Sequence, residues 1–267
     1  MKKTVFITGA SSGFGKASAL LFNSKGWNVI AAMRTPQKES ELSQLENVLV
    51  VKLDVTDSLS IDEAVRKGVE VFGNIDVLVN SAGYGLMGVF EASDEIQIKR
   101  QFDVNVFGLM EVTKAVLPFM RKNKSGSIIN ISSFGGVNAG AFSSLYSSSK
   151  FAVEGFSEAL SHELAFLNIA VKIIEPGSVP TNFRTGIEMI QNTIEDYNAE
   201  LASFIPKFIK RTEHLSKAAA EDVAQTIWTA ATDETVKLRY VTGDDSQYYI
   251  DLKTKNTEAE YLRLMRN

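Results

Sequence analysis

"TVFITGASSGFG", residues 4–15, sets a run of β-formers directly against three glycines spaced GxxxGxG. "TVFIT" (4–8) reads as a strand, and the helical pattern behind it starts near Gly13 and ends at Gly26. Gly9, Gly13 and Gly15 therefore occupy a strand-to-helix turn. Glycine there permits backbone angles closed to other residues and lets a diphosphate approach the chain. The helix N-terminus behind the turn adds free N–H groups and partial positive charge. Alone, such a trio is equally a tight turn and nothing more.

The chain around it decides. "NVIAAM" (28–33), "NVLVVKLD" (47–54), "IDVLVN" (75–80), "GSIINIS" (126–132), "IAVKIIEPG" (169–177) and "LRYVTG" (238–243) read as further strands. Helical patterns alternate with them. One is opened by Ser60 with Glu63 as a capping box. A long one covers about 94–123, broken near Asn105 to Gly108. Another follows "LYSSSK" (145–150) to about Leu167, and the last is "AAAEDVAQTIWTAAT". Nearly unbroken Val/Ile runs mark strands covered on both faces. The expected fold is α/β: a Rossmann-like doubly wound parallel sheet of about seven strands, helices on both faces, one domain over residues 1–267. In that setting the turn becomes a dinucleotide cradle, with Ser11, Ser12 and Phe14 beside the glycines.

Composition removes other classes. A net charge of −4 argues against a nucleic-acid partner. There is no cysteine, and His162 and His214 are the only histidines, so no metal site is expected. His162 reads as a helix residue, His214 as part of a polar loop, and "RKNKSG" (121–126) as a solvated helix end. No apolar run is long enough for a membrane span, and "VFI" behind the two N-terminal lysines is too short for a signal peptide. A cytoplasmic location is the expectation.

About twenty residues past such glycines, an NAD site places an acid on the ribose, whereas arginine suits the 2′-phosphate of NADP. Here the second strand ends "AAMRT": Met33 fills the acid position and Arg34 follows. The expected cofactor is NADP (NADPH).

With "TGASSGFG", "NSAG" (80–83), "ISS" (131–133), "YSSSK" (146–150) and "PGSVPT" (176–181) in this order, the sequence resembles the short-chain dehydrogenase/reductase family over about residues 4–243. Through "RYVTG" and a long insertion it is most similar to the steroid- and retinol-dehydrogenase-like branch. The resemblance implies a catalytic set of Asn105, Ser133, Tyr146 and Lys150, Ser133 being favoured over Ser132 by its spacing from the tyrosine. It also implies adenine contacts at Asp54 and Val55, and cofactor contacts at Asn80, Ala82, Gly83, Pro176, Gly177 and Val179. Lys150 would hold the nicotinamide ribose and Thr181 the nicotinamide amide. Two departures stand out: Ser81 replaces a more usual asparagine, and Pro180 precedes Thr181. Relatives pair through two long central helices, so a homodimer or homotetramer is expected.

The chemistry agrees. A free tyrosine has a pKa near 10 and exchanges protons poorly at neutral pH. Lys150, four residues on, shares a helix face with Tyr146, and its ammonium, together with the oxidised nicotinamide ring, should favour phenolate and lower that pKa. Ser133 can donate to a substrate oxygen. The three serines, poor helix formers, read as small spacers at the helix start.

From Asn182 to about Lys217, apolar residues recur by threes and fours from Ile187 through Ile190, Ile194, Tyr197, Leu201 and Phe204 to Phe208. This reads as an amphipathic helical segment, broken at Pro206: either a lid over a pocket for an apolar carbonyl or alcohol substrate, or equally a stripe that only packs on the core. "GDD" (243–245) reads as a turn closing the last strand. The expected activity is NADP-dependent interconversion of a carbonyl compound and its secondary alcohol. The alternatives are a non-catalytic NADPH-sensing regulatory protein, disfavoured by the complete Ser/Tyr/Lys/Asn set, and an NAD-dependent dehydrogenase. A nucleotide-sugar dehydratase or epimerase is disfavoured by the short region after Pro176.

Overall fold

The computed structural model describes residues 2–179 and 187–266. Its strands, in chain order, are β1 (Thr4–Thr8), β2 (Asn28–Met33), β3 (Val48–Lys52), β4 (Val77–Asn80), β5 (Leu86–Met87), β6 (Gly126–Ile131), β7 (Ile169–Pro176), β8 (Glu188–Met189) and β9 (Arg239–Thr242). Seven form one sheet in the order β3-β2-β1-β4-β6-β7-β9, every neighbouring pair parallel. The unforeseen two-residue strands β5 and β8 pair separately. The strand order reverses between β1 and β4, and a parallel sheet of this kind opens a crevice at that point, beyond the carboxyl ends of the strands.

The helices are α1 (Gly13–Ser24), α2 (Ser58–Phe72), α3 (Glu95–Phe102), α4 (Gly108–Asn123), α5 (Ser144–Leu164), α6 (Asn198–Thr212), α7 (Ala220–Thr232), α8 (Asp244–Thr254) and α9 (Glu258–Arg266). They cover both faces, which is why the strands are apolar at nearly every position. Val5 and Ile7 of β1 pack with Phe22 of α1 and Ile227 of α7. Phe6 between them packs the other way, with Val65 of α2 and Val116 of α4. On the first face Phe22, Trp27 and Trp228 meet edge-to-face at 5.0–5.5 Å between centroids. No described helix is long and apolar enough to cross a membrane.

Several local expectations are corrected. Helix α2 is capped by Asp57, whose carboxylate accepts from the Leu59 and Ser60 amides. Ser60 lies one turn in, its hydroxyl accepting from the Asp54 N–H. An aspartate at the first position with free amides takes the cap. Residues 187–197 hold no α-helix: they form β8 and a single 3-10 turn at Glu195–Tyr197. Helix α6 then runs straight through Pro206, stacking Phe208 on Tyr249. "GDD" opens a helix, α8, because Gly243 at φ +97° turns the chain straight into it. The break expected within 94–123 is a π-turn at Asp103–Phe107 between α3 and α4.

Candidate active site

The turn from β1 into α1 is built by its glycines. Gly9 and Gly13 lie at φ +68° and +53°, where a side chain would be strained. A Cβ on Gly9 would stand 2.9 Å from the Ala82 Cα, and one on Gly15 only 2.4 Å from the Gly9 carbonyl oxygen. Thr8 Oγ1 accepts from the Ser81 and Ala82 amides at 3.0 and 3.1 Å, stitching this turn to the one after β4. Together they wall a cleft of about 680 Å³, lined by Gly9, Ser11, Ser12, Gly13 and Phe14 on one side and by Ala82 and Gly83 on another. At its far end stand Met33, Arg34, Asp54 and Val55. Burial would raise the Asp54 carboxyl, but hydrogen bonds from the Thr56 amide and hydroxyl, with the charges of Arg34 and Lys52, hold it below its ordinary value.

Two residues expected in this cleft do not line it. Gly15 packs on Gly9 behind the turn. Asn80 is buried with its amide donating to Thr113 Oγ1 and Asn130 Oδ1, both at 2.9 Å. An amide on the last residue of a central strand finds these core partners before it reaches a ligand.

Helix α5 begins at Ser144, so "LYSSSK" occupies its first turns. Tyr146 and Lys150 both sit on its buried face, at 9% and 7% exposure. Lys150 Nζ donates to the Ile131 carbonyl at 2.8 Å and lies 5.8 Å from the centre of the Tyr146 ring. Ser133, just past β6, accepts from the Gly135 N–H at 3.0 Å and hydrogen-bonds the Tyr146 phenol. Gly135 leaves room for both: a Cβ there would be 3.3 Å from Tyr146 Cε1 and 3.4 Å from Ser133 Oγ. Ser132 points elsewhere, toward Gly136 and Glu154.

The serines are more than spacers. Ser149 donates to the Tyr146 carbonyl at 2.7 Å and accepts from the Asn105 amide at 3.2 Å. Ser148 bonds the Ser144 carbonyl, so back-bonding hydroxyls satisfy themselves inside the helix. Asn105, in the π-turn, grips the Tyr84 backbone from both sides, accepting from its N–H at 3.0 Å and donating to its C=O at 2.9 Å. It lines neither this cleft nor the next; it holds the loop after β4.

The protein's own groups, without the nicotinamide ring, do not lower the phenol. Burial pushes Tyr146 up to about 12, outweighing the Ser133 hydrogen bond. Burial also pulls Lys150 down to about 8, against the opposing charge of Glu154. Desolvation penalises each charged form, and here it dominates both.

Ser133, Tyr146 and Lys150 open into a second cleft of about 430 Å³. Phe14, Ser81, Ala82 and Gly83 line both clefts, which therefore adjoin beside the phenol. Pro176, Gly177 and Val179 form one wall; Met87, Phe134, Phe142, Met189, Phe204 and Phe208 make another, strongly apolar one. Thr181 and Pro180 lie outside the described residues, as do residues 182–186 of the expected lid.

One supporting residue escaped the sequence reading. Asp245 is fully buried, and its carboxylate accepts from the Ser178 and Ser246 amides at 2.7 and 3.0 Å. A Cβ on Gly177 would collide with it at 1.9 Å. Its signal was the helix after Gly243, hidden by taking "GDD" as a turn.

The arrangement offers a buried proton donor, a hydroxyl and an ammonium where a backbone-lined groove meets an apolar chamber. The chain and its fold are similar to those of known proteins. A family model described as short chain dehydrogenase matches residues 3–191. A 3-ketodihydrosphingosine reductase of Bacteroides thetaiotaomicron is 41% identical over 195 residues, 72% of this chain and 71% of that protein. A short-chain dehydrogenase from Streptomyces avermitilis superposes at a TM-score of 0.87 with 32% identity, over 99% of this chain and 96% of the other. ElxO, solved with NADP bound, gives a TM-score of 0.75 at 30% identity over 90% and 98%. Sheet order, glycine turn and family match agree, and the chain belongs to the short-chain dehydrogenase family of oxidoreductases.

Proposed function

We propose that this protein is an NADP(H)-dependent oxidoreductase that interconverts an apolar carbonyl compound and its secondary alcohol, with Tyr146 as the acid/base. The observation that carries this reading is the meeting of Ser133, Tyr146 and Lys150 at the junction of the two clefts. The first cleft fits a dinucleotide: its glycines leave backbone exposed where any Cβ would collide. Gly9 to Phe14 would hold the diphosphate, Asp54 and Val55 the adenine, and Arg34 a 2′-phosphate. ElxO, with NADP bound, supports the choice. When bound, the cofactor supplies or accepts the hydride.

The chain's own residues handle the proton. The Ser133 hydroxyl accepts from Gly135 and is bonded to the Tyr146 phenol, so a substrate oxygen seated between them would take its proton in place of the phenol oxygen. Tyr146, kept protonated at neutral pH by burial, is in the form that gives a proton to a carbonyl oxygen during reduction. Lys150 stands beside it as an ammonium below about pH 8, to offset the charge left on the phenol and to hold the ribose. The aromatic wall supports an apolar substrate, with α6 as the described part of a lid. A homodimer or homotetramer that pairs α4 and α5 would cover Phe107 and Phe151, now 55% and 44% exposed. We place the protein in the cytoplasm.

The test is NADPH and NADH oxidation with aldehydes and ketones of graded size, beside Tyr146→Phe. Consumption of NADPH that falls on the order of 100-fold or more in the variant supports the reading. A variant as active as the wild type overturns it.

A further inference from the structure

Tyr146, Lys150, Glu154 and Glu158 fall at successive i, i+4 positions of α5, a line running from the buried phenol to solvent. The first three meet three consecutive residues at the end of β6. Tyr146 meets the Ser133 hydroxyl, Lys150 the Ile131 carbonyl, and Glu154 faces Ser132. At the last contact a Cβ on Gly136 would lie 2.5 Å from Ser132 Oγ and 3.0 Å from Glu154 Cγ.

Glu154 has no place in the proposed chemistry, yet it is 6% exposed and ionisable. From β9, Arg239 Nε donates to its Oε2 at 2.9 Å, while Nη2 reaches Glu158 at 2.6 Å. From β7, the buried Glu175 places Oε1 3.7 Å from the same Nε. The groups facing Glu154 are thus Lys150 and Glu158 on its own helix, Ser132 past β6, Glu175 on β7 and Arg239 on β9. One guanidinium serves two buried carboxyls as well as an exposed one. Burial raises the Glu154 carboxyl above its ordinary value, opposed by hydrogen bonds from Ser132 and Arg239 and by the charges of Arg239 and, last, Lys150, whose ammonium the carboxylate favours in return.

We propose that Glu154 is a positioning residue for the Tyr146–Lys150 pair: held by Arg239, its carboxylate is the counter-charge that keeps Lys150 an ammonium, docked on the Ile131 carbonyl beside the phenol. This rests on the proposed role of Tyr146 and Lys150, and its test is separable from that role. Lys150 is followed by NMR of ¹³C-labelled lysine side chains in the protein alone, its signal assigned by its disappearance in Lys150→Met. In Glu154→Gln the Lys150 titration midpoint should fall by about one pH unit, since the ammonium loses an opposite charge within one helical turn. Glu158→Gln, the same charge change two turns away in solvent, should move it by no more than a few tenths. If Glu154→Gln does not fold, Glu154→Met removes the same charge and should give the same shift. An unmoved midpoint in the folded variant, or an equal movement in Glu158→Gln, overturns the proposal. In turnover with NADPH and a ketone of the panel, Glu154→Gln should lower kcat at pH 8 while leaving KM for NADPH within about twofold. An unchanged kcat there also counts against it. A fully active Tyr146→Phe would instead refute the parent reading and leave the Lys150 titration to be judged on its own.

Discussion

Lys150 makes a quantitative demand on stability. Its ammonium, ordinarily 10.5, is pulled to about 8 by burial, while the unfolded chain keeps the ordinary value. At about 1.4 kcal/mol per pH unit, that gap is a penalty on the order of 3 kcal/mol on the folded protein. The penalty is fully present below about pH 8, where folded and unfolded forms both carry the proton. Between about 8 and 10.5 the folded form has released its proton and the unfolded form has not, so stability rises with pH. Lys150→Met removes this group, and the neighbour whose titration it shifts is the Glu154 carboxyl, which loses the lowering charge of the ammonium. Urea unfolding of both proteins, without cofactor, at pH 7 and at pH 10 isolates the difference. Wild type should gain on the order of 2 to 3 kcal/mol on the variant between the two conditions, a relative midpoint shift of roughly 1 M for a chain of this size. The lost hydrogen bond to Ile131 is common to both pH values and cancels. If the difference stays flat, or wild type loses ground as pH rises, Lys150 is not a desolvated ammonium and the electrostatic account of the site fails.

Two further substitutions probe the ends of the clefts. Arg34→Ala should raise KM for NADPH by about 10-fold and leave NADH unchanged, because an exposed arginine on a phosphate is worth little more than one charge-assisted bond. Equal effects on the two cofactors, measured by initial rates, would refute the 2′-phosphate contact. Phe204 packs edge-on against Phe142 at 5.2 Å and stacks with Phe208 at 5.9 Å, forming part of the apolar wall. Phe204→Ala should therefore raise KM several-fold for bulky ketones and leave small ones alone, with a stability loss of about 1 kcal/mol. Unchanged kinetics on both would remove α6 from the substrate side.

What could be read from the sequence was what is local. Strand positions carry apolar residues toward both faces, so "TVFIT" and "NVIAAM" announce a covered parallel sheet without any long-range information. Gly9 and Gly13 need positive φ within one turn. Tyr146 and Lys150 need only one helical repeat to share a face. The choice of Ser133 rather than Ser132 came from the serine-to-tyrosine spacing of the family the sequence resembles, and the two serines do point to opposite sides, as successive residues leaving a strand do. Helix boundaries failed where two local signals competed: Asp57 displaced Ser60 as a cap, and Pro206 removed one backbone donor without ending α6.

What escaped was set by neighbours distant in the chain. Asn80 looked like a ligand contact because its segment lines the cleft, but Thr113 and Asn130, 33 and 50 residues away, claim its side chain. The position of Ser178 depends on Asp245, 67 residues later, and Gly177 is glycine because that carboxylate occupies the space of its Cβ. The phenol's protonation went the same way. Sequence supplied the nearby ammonium but not the burial, and burial carries the phenol to about 12 where the charge pair alone would have lowered it. A motif therefore names the groups that touch the reacting atoms, whereas their protonation states depend on packing from all sides. That is why Glu154, with Glu175 and Arg239 brought to it from β7 and β9, belongs in any account of the charge on Lys150 beside this tyrosine.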